Sequence, residues 1–260
     1  MTGALPFRLD PGRPAQLGLV VLQEDETLED DLRRLLPDDV TLLVSRVPSG
    51  RDVTPESLQA MEAHLAGSAA LMPRSAGLGA LGYGCTSGAA QIGAARIAER
   101  VAGAGVTCPV TEPVSALVAA CRALGLSRLG LLSPYVAPVS ERLRAVLAEQ
   151  GLETPAFGSF GVSEEAIVCR ITRDSVLDAA GEVAACAPVD GLFLSCTNLR
   201  TLDAIPLLEQ RLGLPVLSSN LVLAWHMLRL AGVALPAGRP GRLFAAAVPD
   251  GTDGPPLNCS

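Results

Sequence analysis

Short apolar runs alternate with amphipathic segments along most of the chain. The apolar runs are about four to eight residues long, as buried strands are, and the segments between them place apolar residues at helical spacing. The predicted strands cover residues 17–22, 40–47, 77–81, 105–110, 129–132, 154–161, 190–194 and 214–218. The predicted helices cover residues 27–36, 54–66, 89–104, 113–124, 137–149, 172–186, 201–212 and 221–231. Strands that alternate with helices predict an α/β fold with parallel sheets.

The pattern restarts near the middle of the chain, which indicates an internal repeat. Matching dipeptides recur at an offset of about 110 residues. The pairs are Leu17-Gly18 with Leu129-Gly130, Cys85-Thr86 with Cys196-Thr197, and Pro109-Val110 with Pro215-Val216. We therefore predict two similar Rossmann-like lobes related by a pseudo-two-fold axis. Because open α/β sheets bind ligands outside the carboxyl ends of their strands, the active site is expected in the cleft between the lobes.

The charge of the chain narrows the classes of function. The formal net charge is -7, which argues against nucleic acid as a partner because phosphate binding needs a basic face. All 20 basic residues are arginine, so a lysine Schiff base and a lysine-anchored pyridoxal phosphate are excluded. The only histidines are His64 and His226, which disfavours histidine-rich metal sites and Ser–His–Asp catalysis.

Neither a membrane segment nor a disulfide framework is indicated. No uninterrupted apolar run approaches the roughly 20 residues of a membrane helix, and residues 1–16 contain no signal-peptide core. We expect a cytoplasmic protein in which residues 1–16 form a flexible arm and residues 249–260 a flexible tail. The seven cysteines include no C-x-x-C pair, and their odd number argues against disulfides. Those at 108, 121, 169 and 186 are interpreted as small core residues.

Cys85 and Cys196 stand at the carboxyl ends of predicted strands, and each is followed by threonine and a predicted helix. Helix N-terminal N–H groups lower the pKa of a thiol and bind anions. If the lobes face one another, the two thiols flank one cleft from opposite sides. The plainer interpretation is that both are buried cysteines that close apolar strands.

Two opposed thiols suit the removal of a proton from a carbon next to a carboxylate and its return on the other face. One group must then be thiolate and the other thiol. Negative charge develops on the substrate carboxylate and is stabilised by hydroxyl and N–H donors. The candidate donors are Thr86, Ser87, Thr197 and Asn198. Thr86 and Ser87 are also suited to helix capping, which is compatible with this role. The chemistry needs no cofactor and no metal.

Three motifs carry a family resemblance. They are Gly82-Tyr83-Gly84-Cys85-Thr86-Ser87-Gly88, Ser133-Pro134-Tyr135 and Leu194-Ser195-Cys196-Thr197-Asn198-Leu199. They resemble the aspartate/glutamate racemase superfamily, in the branch that contains maleate cis–trans isomerase and arylmalonate decarboxylase. The resemblance implies that Cys85 and Cys196 form the catalytic pair. It also implies that Thr86, Ser87 and Tyr135 bind substrate carboxylate oxygens.

The resemblance also implies how the chain is divided. The C-terminal segment is expected to return to the first lobe. Lobe 1 then covers residues 17–112 and 228–248, and lobe 2 covers residues 113–227. A homodimer is the assembly expected from the family.

Two positions depart from the family pattern. Maleate isomerases carry a carboxylate-binding Asn in the first loop, where this chain has Asp25. A second family Asn corresponds to Glu165, in the loop after the strand predicted at 154–161. Acids repel a dicarboxylate such as maleate, because like charges disfavour one another in a cleft, but they suit an ammonium group. These positions favour an amino-acid-like substrate, although Asp25 is equally suited to capping the helix after it.

The predicted function is a cofactor-independent isomerase of the racemase or epimerase type that acts on a small amino-acid-like or carboxylic acid substrate. Three alternatives stay open. The first is a maleate-type cis–trans isomerase that forms a covalent cysteine adduct, and the second is an arylmalonate-decarboxylase-like lyase. The resemblance disfavours the lyase, because that enzyme has glycine at the position of Cys85. The third is a non-catalytic carboxylate-binding protein, which is disfavoured because both thiols are present.

Overall fold

The structure, a computed structural model, describes residues 4–10 and 12–246. Its framework consists of two four-stranded parallel sheets with the same strand order, β2-β1-β3-β4 and β6-β5-β7-β8. The first sheet contains β1 (Ala15–Leu22), β2 (Val40–Val47), β3 (Leu78–Gly84) and β4 (Val110–Thr111). The second contains β5 (Arg128–Tyr135), β6 (Glu153–Val162), β7 (Gly191–Leu194) and β8 (Val216–Ser218). The repeated order confirms the predicted α/β fold with two similar lobes.

Helices connect the strands of both sheets. Those before β5 are α1 (Leu28–Leu35), α2 (Pro55–Ala60), α3 (Glu62–Ala69), α4 (Thr86–Ile92), α5 (Ala94–Ala102) and α6 (Pro113–Leu124). Those after β5 are α7 (Ala137–Glu149), α8 (Glu165–Val168), α9 (Arg173–Cys186), α10 (Ile205–Leu212), α11 (Ser219–Leu230) and α12 (Arg242–Ala245). Within the described residues, no helix is long and apolar enough to cross a membrane.

The core follows from the apolar pattern of these elements. Strand β1 is buried along most of its length, because helices cover both faces of a parallel sheet. Helix α1 places Leu28, Leu32 and Leu35 on one buried face, at helical spacing. Helix α11 belongs to the second half of the chain but packs against both β3 and α6, and so joins the two halves.

Several predicted boundaries differ from the structure. The helix predicted at 54–66 is two helices, α2 and α3, which meet at Met61. The helix predicted at 89–104 begins at Thr86 and is divided at Gly93, whose φ of 92° is incompatible with a continuous helix. The strand predicted at 105–110 is reduced to the two residues of β4.

Two further differences concern the arm and the second thiol. The predicted arm overlaps the sheet, because β1 begins at Ala15. The helix predicted from Thr201 begins at Ile205, so residues 195–204 form an irregular loop after β7. Cys196 therefore does not stand at a helix N-terminus as Cys85 does. The predicted tail at 249–260 lies outside the described residues.

Candidate active site

The two cysteines lie at the carboxyl ends of equivalent strands, with Cys85 directly after β3 and Cys196 two residues after β7. Both side chains are buried, at 5% and 2% relative exposure. Thr197 Oγ1 donates to the carbonyl oxygen of Gly84 at 3.3 Å. The neighbours of the two thiols are thus hydrogen-bonded to each other, and the predicted approach of the two strand ends is present.

Ser219, at the start of α11, forms a second link between the two loops. Its Oγ accepts from Thr86 Oγ1 at 2.7 Å and from the backbone N–H of Cys196 at 3.0 Å. The Ser219 side chain is fully buried. One hydroxyl therefore fixes the helix start after Cys85 and the backbone of Cys196 in a common frame.

Cys85 has an extended backbone, with φ of -153°, and caps α4. Its Sγ accepts a hydrogen bond from the N–H of Gly88 at 3.1 Å. A Cβ on Gly88 would lie 2.6 Å from Tyr83 Oη and 2.9 Å from Cys85 Sγ. Only glycine leaves room for this close approach of the helix backbone to the thiol.

Burial raises the pKa of the Cys85 thiol to about 12, and the carboxyl groups of Glu165 and Asp25 act in the same direction. The N–H of Gly88 and the hydroxyl of Tyr83 act to lower it but are outweighed. The expectation that a helix N-terminus holds this thiol at a low pKa is wrong for the resting site, because the thiol is desolvated. Cys85 rests as a neutral thiol.

Cys196 has φ of 101°, the one positive φ outside glycine in the part of the chain that the structure describes. Such a backbone is strained for a residue with a Cβ, and strain of this kind concentrates at functional sites. Its Sγ accepts from the N–H of Asn198 at 3.2 Å and lies 2.9 Å from Tyr135 Oη. Burial raises the pKa of the Cys196 thiol well above its ordinary value, and the charge of Glu165 adds to the effect.

Glu165 lies behind Tyr135 and is 4% exposed. Its Oε1 accepts from Tyr135 Oη at 2.7 Å, and its Oε2 accepts from Asn198 Nδ2 at 2.9 Å. Burial raises the pKa of the Glu165 carboxyl, against the lowering effect of these two hydrogen bonds. Asn198 Oδ1 also accepts from the N–H of Glu26 at 2.9 Å, so Asn198 joins both lobes. Glu165, predicted to bind substrate, instead directs both oxygens to protein donors.

The two carboxyl oxygens of Asp25 have different surroundings. Its Oδ1 accepts from the N–H groups of Thr27 and Leu28, each at 2.8 Å, so the capping role is present. Its Oδ2 is buried and has no hydrogen-bond partner. Thr197 lies close to this carboxyl, but its hydroxyl donates to Gly84. Burial raises the pKa of Asp25, against the lowering effect of the two backbone N–H groups.

The structure places all of the predicted site residues in buried positions. They are Asp25, Cys85, Thr86, Ser87, Tyr135, Glu165, Cys196, Thr197 and Asn198. Hydrogen bonds or electrostatic contacts connect each of them except Ser87 to the network around the two thiols, and Ser87 lies in the first turn of α4.

Sequence reasoning missed Ser219 and Asn220. Asn220 Nδ2 donates to the carbonyl oxygen of Thr197 at 2.9 Å and to Asp31 Oδ2 at 2.8 Å. Both residues follow β8 directly, so their place at a strand end was a usable signal. Over residues 4–10 and 12–246, no group of three or more His, Cys, Asp or Glu side chains is arranged to hold a metal ion.

Residues 69–244 match the family model described as arylmalonate decarboxylase. The chain belongs to the arylmalonate decarboxylase family. The arylmalonate decarboxylase of Bordetella bronchiseptica is 41% identical over 139 residues, which are 52% of this chain and 58% of that protein. This match spans less than two thirds of the relative. The maleate isomerase of Alcaligenes faecalis is 23% identical over 249 residues, which are 90% of this chain and 98% of that protein.

Solved structures agree with this family assignment. A liganded arylmalonate decarboxylase, mutated from glycine to cysteine and from cysteine to serine, is 32% identical with a TM-score of 0.78, over 88% of this chain and 98% of that chain. A Nocardia farcinica maleate cis–trans isomerase, a cysteine-to-serine mutant with a covalently bound succinylcysteine intermediate, is 26% identical with a TM-score of 0.79, over 88% and 98%. The predicted family branch and two-lobed fold are confirmed.

Proposed function

We propose that the protein is a cofactor-independent isomerase that transfers a proton at the carbon next to a carboxylate, with Cys85 and Cys196 as the two acid/base groups. One observation carries the proposal. The thiols end equivalent strands of the two lobes, and their loops are hydrogen-bonded to each other through Thr197 and Ser219. A two-base reaction needs one group for each face of the reacting carbon.

The reaction begins when one cysteine, as thiolate, removes the proton from the carbon next to the substrate carboxylate. The electron pair moves into the carboxylate, whose oxygens then carry additional negative charge. Hydroxyl groups of Thr86, Ser87 and Thr197 are the donors available for these oxygens. The other cysteine donates its thiol proton to the opposite face of the carbon, so the two cysteines end with exchanged protonation states.

The substrate class is a small carboxylic acid. The argument for an amino group on the substrate rests on Asp25, because Oδ2 of Asp25 has no protein partner whereas both oxygens of Glu165 do. An amino-acid-like substrate would place its nitrogen at Asp25 Oδ2. The homodimer expected from the family stays a prediction.

Proton NMR in D₂O tests the reaction. The purified protein is incubated with amino acids, acylated diamino acids, maleate and arylmalonates. We expect an α-hydrogen to exchange with solvent, and Cys85→Ser and Cys196→Ser each to reduce this exchange by about 10³-fold or more. Cys186→Ser is the matched control, because Cys186 is exposed on α9. Full exchange in both serine variants would exclude the two-thiol mechanism.

A maleate-type cis–trans isomerase is the second candidate. It is supported by the similarity to maleate isomerases, of which one is matched over 98% of its length and another carries a covalently bound succinylcysteine intermediate. In this reaction a thiol adds to the substrate double bond, and a thioether forms. Intact-mass spectrometry with maleate would then show the protein with one succinyl adduct on a cysteine, and the NMR panel would show fumarate. Loss of carbon dioxide from an arylmalonate would instead identify a lyase.

A further inference from the structure

We propose that Glu165 accepts the proton of the Cys196 thiol through the hydroxyl of Tyr135, which makes Cys196 the base of the pair and Cys85 the acid. We call Cys196, Tyr135 and Glu165 the relay. The choice of base deepens the proposed function and rests on it, but the proton path itself is testable without any substrate.

The geometry of the relay is continuous. Cys196 Sγ lies 2.9 Å from Tyr135 Oη, and Tyr135 Oη lies 2.7 Å from Glu165 Oε1. All three side chains are nearly fully buried. Asn198 donates to Glu165 Oε2 and to Cys196 Sγ, so it holds both ends of the relay and leaves Oε1 to Tyr135. Each member therefore has one defined partner on each side.

The proton balance is simple. At rest the relay consists of a Cys196 thiol, a neutral Tyr135 and a Glu165 carboxylate. Tyr135 passes its proton to Glu165 Oε1 and takes the proton of Cys196. The products are a Cys196 thiolate, a neutral Tyr135 and a neutral Glu165. No electrons are transferred, and no group outside the relay is needed.

The electrostatics favour this transfer in two ways. Burial raises the pKa of Glu165 as it raises that of Cys196, so the carboxylate is a stronger proton acceptor here than in water. The negative charge of Glu165 is one reason that the Cys196 pKa is raised, and this charge disappears when the proton arrives. The other titratable groups that act on the relay are Glu24, Asp25 and Cys85, and Glu165 in turn raises the pKa of Cys169.

Cys85 has no equivalent path. Its Sγ accepts from the N–H of Gly88, and the nearby hydroxyl of Tyr83 contacts Met61 Sδ at 3.8 Å. Among the described residues, no carboxylate accepts a hydrogen bond from Tyr83. Cys85 therefore lacks a carboxylate that could take its proton, and it suits the role of acid.

Alkylation by bromoacetate tests the relay without a substrate. Tandem mass spectrometry of tryptic peptides follows the carboxymethylation rate of Cys196, with the exposed Cys186 as the internal reference. We expect Glu165→Gln to slow the alkylation of Cys196 by about tenfold or more at neutral pH, because the proton acceptor is lost. Alkylation of Cys85 should not slow, because the charge of Glu165 acts only to raise the pKa of that thiol. The matched control is Glu164→Gln, since Glu164 is an exposed neighbour of Glu165.

A purely electrostatic role for Glu165 predicts the opposite change in the alkylation rate of Cys196. If Glu165 only repels the thiolate, its removal lowers the Cys196 pKa, and Glu165→Gln accelerates alkylation. Acceleration, or an unchanged rate, would overturn the relay. Glutamine also presents a donor to Asn198 Nδ2 or to Tyr135, so a second variant is needed. Tyr135→Phe leaves the Glu165–Asn198 hydrogen bond in place and should slow Cys196 as strongly, with no further loss in the double variant.

Turnover separates the relay from substrate binding. A relay variant should lower kcat with little change in KM, whereas loss of a carboxylate-binding group would raise KM. The wild-type rate should also fall as pH drops through the raised pKa of Glu165, and this acid limb should be absent in Glu165→Gln. Slower alkylation of Cys196 with no turnover on any substrate would leave the relay in place and refute only the proposed function.

Discussion

The loops that carry Cys85 and Cys196 occupy equivalent places in the repeat but differ in structure. Cys85 has an extended backbone and leads directly into α4, and its thiol accepts a backbone N–H. Cys196 has a strained backbone and precedes an irregular loop, and its thiol, which also accepts a backbone N–H, contacts the side chain of Tyr135. The repeated Cys-Thr pair thus locates each thiol at a strand end, whereas the residues around it decide where its proton can go.

The two loops also differ in the buried side chains that are hydrogen-bonded to their backbone. The carbonyl oxygen of Thr197, next to Cys196, accepts from Asn220 Nδ2, which also donates to the buried carboxyl of Asp31. Burial raises the pKa of Asp31 to about 6 from 3.8. Asn220 therefore links the Cys196 loop to a buried acid with a raised pKa.

Asp31→Asn gives the largest expected effect on stability. The folded pKa is raised, so the contribution of Asp31 to stability is greatest below 3.8 and is lost as pH rises through about 6. At neutral pH the ionised Asp31 costs about 3 kcal/mol. Asparagine can still accept from Asn220. The variant should therefore unfold at higher urea concentration at neutral pH, with a gain that vanishes toward about pH 4.

Asp38→Asn is the control for this measurement, because Asp38 is exposed in the turn after α1. Urea unfolding of wild type and both variants across the pH range isolates the contribution of Asp31, since other buried acids cancel in the difference. A gain of equal size at every pH would contradict the assignment of the pH dependence to Asp31.

Much of the fold was predictable because its signals are local. Buried parallel strands appear as short apolar runs, and the offset between matching dipeptides reveals the repeat before any contact is known. The predicted ends of helices and strands were wrong where tertiary contacts determine them. Methionine is not a residue type that marks the end of a helix, so the break at Met61 was not visible in the sequence. The region between Cys196 and Ile205 has the composition of a helix, but it forms a loop that is held by the hydrogen bonds of Asn198.

The candidate site was predictable in its members but less so in its connections. The Cys-Thr pairs and the Tyr135 motif are visible in the sequence, since strand ends and family motifs coincide there. The bonds of Glu165 to Tyr135 and Asn198 join the start of α8 to the end of β5 and to the loop after β7, and no spacing in the sequence encodes them. The same holds for Ser219, which is an ordinary helix-start serine until the two thiol loops are brought against it.

Gly88→Ala should disturb the Cys85 loop alone. The added Cβ would lie 2.6 Å from Tyr83 Oη and 2.9 Å from Cys85 Sγ, so the thiol or the helix start must shift. We expect a loss of about 1–3 kcal/mol in the free energy of unfolding, as for other overpacked cores. The alkylation rate of Cys85 should change while that of Cys196 is kept. Calorimetry and bromoacetate labelling provide the two measurements.

Gly67→Ala is the matched control for Gly88→Ala. Gly67 lies in α3 with open space around its Cα, so alanine should stabilise the protein by up to about 1 kcal/mol through its helix propensity. Equal changes in the labelling of both cysteines by Gly88→Ala would show that the two loops do not respond independently.

The smallest expected effect is on stability: glycine should be more stable than alanine at position 196, and alanine more stable than glycine at position 85. At 196, where φ is 101°, alanine keeps the strain and glycine removes it, so Cys196→Gly should be more stable than Cys196→Ala by about 1 kcal/mol. At 85 the backbone is extended, and Cys85→Ala should be more stable than Cys85→Gly by roughly 0.5–1 kcal/mol. Both variants of each pair lack the thiol, so the difference in their free energies of unfolding in urea reports the effect of the backbone conformation alone. The same preference at both positions would mean that the Cys196 loop relaxes freely, and its strained backbone would then not be held by Ser219.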